Sequence, residues 1–125
     1  ALLSGTDRRD LIARSEAVLS ADDVRALRGA VSEVHASEAL IAYVQTLMAR
    51  SRHHPGVRVG LSPRAGLALL RAARAHALLL GRAHALPEDV QTLFIAVAAH
   101  RLVADADGGD GTAMAKSILH AVMVD

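Results

Sequence analysis

Gly60-Leu61-Ser62-Pro63-Arg64-Ala65-Gly66-Leu67 is a helix start, and the architecture of the chain is read outward from it. A serine hydroxyl accepts from the orphan N–H groups of a first helical turn. Proline fits the first helical position because its missing N–H costs nothing there. Arg64 then falls in the first turn, where the positive end of the helix dipole disfavours a cation. An arginine held in that place calls for an anion, brought by a ligand or partner. The plainer reading of Arg64 is a salt bridge to a neighbouring acid.

The helix opened by Ser62 runs to about Leu80, with Gly81 as its C-terminal cap. At about 100° per residue, Arg64, Arg71, Arg74 and Arg82 fall within roughly an 80° arc. Ala and Leu fill most of the remaining circumference, so the helix is predicted to be buried on most sides. Arg71, Arg74 and Arg82 read most simply as a solvated stripe.

Upstream, residues 1–19 carry Leu11, Ile12, Val18 and Leu19 and read as a short helix or lead-in segment. Ser20-Ala21-Asp22-Asp23 resembles a capping box with Asp in place of Glu, opening a helix with Val24, Leu27 and Val31 on one side. After a break near His35-Ala36, Ser37-Glu38 starts a helix striped by Leu40, Ile41, Val44, Leu47 and Met48. His53-His54-Pro55-Gly56 turns the chain, and Val57-Arg58-Val59 is a short extended connector. Downstream, Pro87-Glu88-Asp89 begins a helix through Leu93, Val97 and Leu102, with its acids in the favoured first turn. Residues 105–111 form an acidic, glycine-rich loop, and a last helix covers about Thr112 to Val122. No alternating apolar run has the length of a substantial sheet. The predicted fold is all-α, a small bundle of about four to six helices. Its parts are a lead-in at 1–19, a helical domain at 20–103, and a loop with a C-terminal helix at 104–125.

Composition agrees. Of 125 residues, 52% are hydrophobic but only 2% aromatic, so the core is built from Ala, Leu, Val and Ile. Net charge is +1, so no global field points to nucleic acid or a membrane surface. The thirteen arginines against one lysine are given no functional weight. Without cysteine, disulfides and thiol chemistry are excluded, and a cytoplasmic setting fits. No signal peptide or bilayer-length apolar run is present; the longest candidate, from Leu67 to Leu80, is broken by Arg71, Arg74 and His76. Ala at position 1 points to a processed chain or a piece of a longer protein.

One ordered set of elements resembles a known family. It comprises Gly60-Leu61-Ser62-Pro63-Arg64-Ala65, Leu69-Leu70-Arg71-Ala72-Ala73, Gly81-Arg82, Pro87-Glu88-Asp89-Val90 and His100-Arg101-Leu102. Upstream, Val31-Ser32-Glu33-Val34, Tyr43-Val44 and Ser51-Arg52-His53-His54-Pro55 follow in the same order. Together, over roughly residues 15–103, they are similar to the C-terminal lid of MoxR-type AAA+ ATPases. Two positions depart from the pattern. Leu86 stands where the family has Thr or Ser, a lost cap worth about 1 kcal/mol that predicts a frayed helix start. Ala83-His84 replaces an Asp and an aromatic.

The resemblance implies a helical lid joined to a nucleotide-binding α/β core, in rings that are commonly hexamers. ATP with Mg2+ lies between core and lid, and the whole protein is a chaperone-like ATPase that matures or activates other proteins. Frequent partners carry von Willebrand factor A domains. By the same resemblance Arg64 is the sensor 2 arginine that reaches the terminal phosphates, with Ser62 and Pro63 as its scaffold beside the nucleotide.

The Walker A and B motifs are not in this chain, so the fragment alone is expected neither to bind nor to hydrolyse ATP. Asp110-Gly111-Thr112-Ala113-Met114-Ala115-Lys116-Ser117 imitates a P-loop, but both required glycines are replaced and no strand pattern precedes it. Asp105, Asp107 and Asp110 fail as a calcium loop, because the sixth place is Asp110 and the twelfth Lys116. His53-His54 reads as a turn with a capping role, and the histidines lack zinc-helix spacing. His100 and Arg101 read as a helix-end pair favoured by the dipole, with contact to the core or a neighbouring subunit as the alternative. A rival reading is a stand-alone helical adaptor that binds protein or DNA without nucleotide, its arginines on one helix face contacting phosphate backbones.

Overall fold

Three serines, each standing one residue before a helix, punctuate the first half of the chain. In the computed structural model, which describes residues 8–105 and 109–122, all three act as caps. Ser20 closes a capping box with Asp23 and opens helix α2, Ala21–Glu33. Ser37 Oγ accepts from Leu40 N at 3.1 Å and opens α3, Glu38–His53. Ser62 Oγ accepts from Ala65 N at 3.3 Å and opens α4, Pro63–Leu79. Before these comes a short exposed helix α1, Arg8–Arg14; after them come α5, Pro87–Ala98, a 3-10 turn at Ala99–Arg101, and α6, Gly111–His120. The helical expectation holds.

The chain also contains a small sheet. Strand β1, Val57–Val59, pairs antiparallel with β2, Val103–Ala104, through Val57↔Ala104 and Val59↔Val103 with an irregularity between. A two-residue strand therefore stands before the Asp110 segment, where none was expected. It gives no sequence signal because three and two residues are too few for alternation to register.

The core is a contiguous cluster built around Leu40, Leu47, Leu69, Val90, Phe94 and Ile118. Helix α5 buries Val90, Phe94 and Ala98 at four-residue spacing, and α4 presents Ala73 and Ala77, both fully buried. Small side chains let these two helices approach closely, so the Ala-rich composition works as packing. Phe94, one of the two aromatics, is fully buried; its truncation to Ala would cost about 3–5 kcal/mol. Helix α6 adds Met114, Ala115 and Ile118 to the same core.

One expectation is corrected. Helix α4 is not buried on most sides: only Ala65, Gly66, Leu69, Ala73 and Ala77 are buried, while Leu67 is 70% and Leu79 83% exposed. Helices α2, α3 and α5 pack on it, yet Pro63, Arg64, Leu67, Arg71 and Leu79 stay exposed. Helix α2 buries no residue fully: Val24 and Leu27 are exposed and Val31 is half-buried. Gly66 eases the approach of α3 to α4, since a Cβ there would lie 2.1 Å from Met48 Sδ and the flexible Met48 side chain would have to shift. Gly81 ends α4 with φ 72° in a Schellman arrangement: Gly81 N donates to Leu78 O and Arg82 N to Ala77 O, both at 2.9 Å.

Candidate functional site

The segment that delivers Arg64 is clamped before it reaches the helix. Leu61 is buried, and its N–H donates to Ser51 Oγ at 2.9 Å. Ser51, fully buried on α3, donates its own hydroxyl to Met48 O at 2.7 Å. Arg52 of the next position donates to Leu61 O at 3.3 Å. Both polar groups of the Leu61 backbone are thus satisfied from the end of α3. Ser62 then caps, Pro63 takes the first helical position, and Arg64 emerges exposed one residue on. Among the described residues Arg64 has no ion-pair partner, so the plainer salt-bridge reading is not realised. Ser51 and Arg52 were legible only as members of a motif; their role depends on contacts with Leu61 ten and nine residues on.

Beside Arg64 lies an apolar groove of about 290 Å³ between α3 and α4, lined in part by Ile41, Met48, Pro63, Leu67 and Leu70. It continues from the helix start that carries the guanidinium.

At the other end of α4 a second cluster holds the helix order. Asp89, in the first turn of α5, is 1% exposed and accepts four hydrogen bonds. Arg82 reaches it twice, Nη2 to Oδ1 at 2.6 Å and Nη1 to Oδ2 at 2.9 Å. Leu86 N donates to Oδ2 at 2.7 Å, and His76 Nδ1 lies 2.6 Å from Oδ1. A carboxylate only accepts, so that His76 nitrogen carries the hydrogen. The Arg82 guanidinium, with the Leu86 N–H and His76 behind it, holds the Asp89 carboxyl well below the usual carboxylate range although burial pushes it up. Arg82 is therefore not part of a solvated stripe: past Gly81 the chain has turned, and its side chain points back to α5. Arg74 is half-buried, with Nε buried and without a hydrogen-bond partner, which leaves Arg71 exposed as the stripe predicts. The α5 start is not frayed by Leu86, because Asp89 binds the Leu86 N–H from three residues on.

The remaining candidates resolve as structure. The P-loop imitation is mostly helix, with Lys116 and Ser117 well inside α6. His54 accepts from Gly56 N at 3.2 Å through Nδ1 and meets Ser117 Oγ at 3.1 Å through Nε2, tying the turn to α6. Arg101 donates to Val97 O and touches His100 Nε2 at 2.7 Å, the expected helix-end arrangement. Of the calcium-loop residues, Asp107 lies outside the described residues. Among the described residues no three His, Asp or Glu gather as metal ligands, and no helix is long and apolar enough to cross a membrane.

Comparison with known proteins joins these features, as the sequence profile of the AAA lid domain matches residues 49–120. The chain belongs to the AAA lid domain family. The profile begins just before Ser51 and ends with α6, so it takes in the Leu61 clamp, the Arg64 helix and the Asp89 cluster. The lid is 32% identical over 127 residues to YeaC, an uncharacterized protein of Bacillus subtilis, covering 98% of this chain and 40% of that protein. It superposes on the crystal structure of a candidate ATPase from Cytophaga hutchinsonii with a TM-score of 0.77 at 26% identity, over 83% of this chain and 36% of that one. The lid thus spans well under half the length of either relative.

Proposed function

We propose that this lid is part of a MoxR-type AAA+ ATPase and closes over ATP held by a separate α/β core, with Arg64 directed at the terminal phosphates. The observation that carries this reading is an exposed guanidinium without an ion-pair partner among the described residues, set in the first turn of α4. Intramolecular forces disfavour it there, and a phosphate would relieve the conflict. A guanidinium offers a planar fork of donors and stays charged at any working pH. When bound, ATP supplies a γ-phosphoryl group for transfer to water, and Mg2+ neutralises its charge. Arg64 would bind that group, while Ser62, Pro63 and the Ser51–Leu61 clamp keep its backbone in place. Because it rides on the lid, its grip would couple lid position to the presence of the γ-phosphate. Mg2+ would take its ligands from the core, since no carboxylate cluster gathers among the described residues.

The wider reading follows from the resemblance: a ring, commonly a hexamer, acting in the cytoplasm as a chaperone-like ATPase on partners with von Willebrand factor A domains. The test is Arg64→Ala in the intact protein, with turnover and nucleotide affinity measured. Loss of at least about tenfold in turnover, the scale of one lost charge-assisted contact, is expected. Unchanged turnover in an assembled ring would remove Arg64 from the mechanism.

A further inference from the structure

We propose that the cleft between α2 and α4 is a docking trough for an acidic segment of a partner protein. Arg28, Val31 and Ser32 line it from α2, and Arg71 and Ala75 from α4, around a space of about 590 Å³. Two exposed arginines thus line one cleft, and neither has an ion-pair partner among the described residues. On the same helix as Arg28, Arg25 pairs with Asp22, and Arg82 pairs with Asp89, whereas Arg28 and Arg71, like Arg64, are open to an outside anion. Two cations lining one cleft make it locally positive, and carboxylates entering it gain charge-assisted contacts. The guanidinium fork matches a carboxylate bidentately.

The shape selects the kind of anion. Arg28 and Arg71 are both exposed, so the site is a surface trough that a chain can cross. A small-molecule pocket would instead enclose most of its ligand. The trough is far roomier than an inorganic anion needs, and Val31 and Ala75 give it apolar walls for a side chain flanking the acid. Nucleic acid fits less well. The whole chain carries only +1 and the trough offers two arginines, few for the continuous run of phosphates that a nucleic-acid strand presents. The trough is separate from the Arg64 site, and its failure would leave that reading intact.

The experiment is fluorescence anisotropy on the full chain with a labelled octapeptide of alternating Glu and Leu. Controls are the Gln-Leu counterpart and a single-stranded oligonucleotide. The Glu-Leu peptide is expected to bind and to weaken toward about 0.15 M salt. Arg28→Glu with Arg71→Glu should weaken it roughly tenfold, while Arg25→Gln leaves it unchanged. Both reversed positions are exposed, and unchanged far-UV circular dichroism would confirm that the double variant still folds. No binding, equal binding by the double variant, or equal binding of the Gln-Leu peptide would overturn the proposal. So would tighter, Arg28- and Arg71-dependent binding of the oligonucleotide, which would make the trough a nucleic-acid site. Complete displacement by millimolar inorganic phosphate alone would reduce it to a free-anion site.

Discussion

Arg82 grips Asp89 with two nitrogens, at 2.6 and 2.9 Å, across the turn that joins α4 to α5. The pair closes over a buried carboxylate that also holds the Leu86 N–H and His76. Four donors on one carboxylate fix the exit of one helix relative to the entrance of the next. Those two helices form the most extensive packed pair in the core.

Asp89→Asn keeps the shape and one acceptor but removes the charge. Arg82 is then left without its partner, although at 25% side-chain exposure it partly rehydrates. The expected loss is about 2–3 kcal/mol, below the usual cost of breaking a buried pair. Urea unfolding with an unchanged m-value would measure it.

Acid titration should show the same carboxylate. Its folded pKa lies below that of an unfolded aspartate, about 3.9, so the unfolded chain takes up the proton first as pH falls. The stabilisation is present in full above that value and drains away as pH drops through it toward the lower folded pKa. Stability measured against pH should therefore fall in this acid window for the parent chain, and fall less steeply in Asp89→Asn.

Ser51→Ala removes the acceptor for the buried Leu61 N–H. An orphaned buried donor costs about 1–3 kcal/mol. Ser51→Thr, which keeps the hydroxyl, should lose less in chemical denaturation if the fully buried site accepts the added methyl.

Arg64→Glu should do opposite things to stability and activity. An acid in the first turn of α4 complements the helix dipole, so folding stability should rise by about 0.5 kcal/mol. Nucleotide binding by the intact protein should fall, because the new charge repels phosphate. Denaturation and nucleotide titration on the same variant would show both.

Leu86→Thr supplies the missing hydroxyl at the start of α5, where no side chain now caps. Thermal unfolding should register a gain of about 0.5–1 kcal/mol, with Asp89 keeping its bond to the backbone of residue 86.

The local devices were readable in the chain itself. The caps at Ser20, Ser37 and Ser62, the stop at Gly81 and the acids at Glu88 and Asp89 act within one helical turn, so neighbouring residues decide them. The ordered motif around Arg64 carried the family, and the position of that guanidinium followed from its place after Ser62-Pro63. What tertiary structure alone decided is everything that needs two distant segments to meet. The Arg82–Asp89–His76 cluster depends on the chain reversing after Gly81, and a helical wheel continued past that glycine sends Arg82 to solvent. The β1–β2 pairing joins residues 57 and 104, the Leu61 clamp joins α3 to the start of α4, and the Arg28–Arg71 trough exists only where α2 lies beside α4. The physical reason is range. Capping energies are set by dihedrals and hydrogen bonds a few residues apart, whereas an ion pair or a covered helix face depends on which surfaces the whole core brings together.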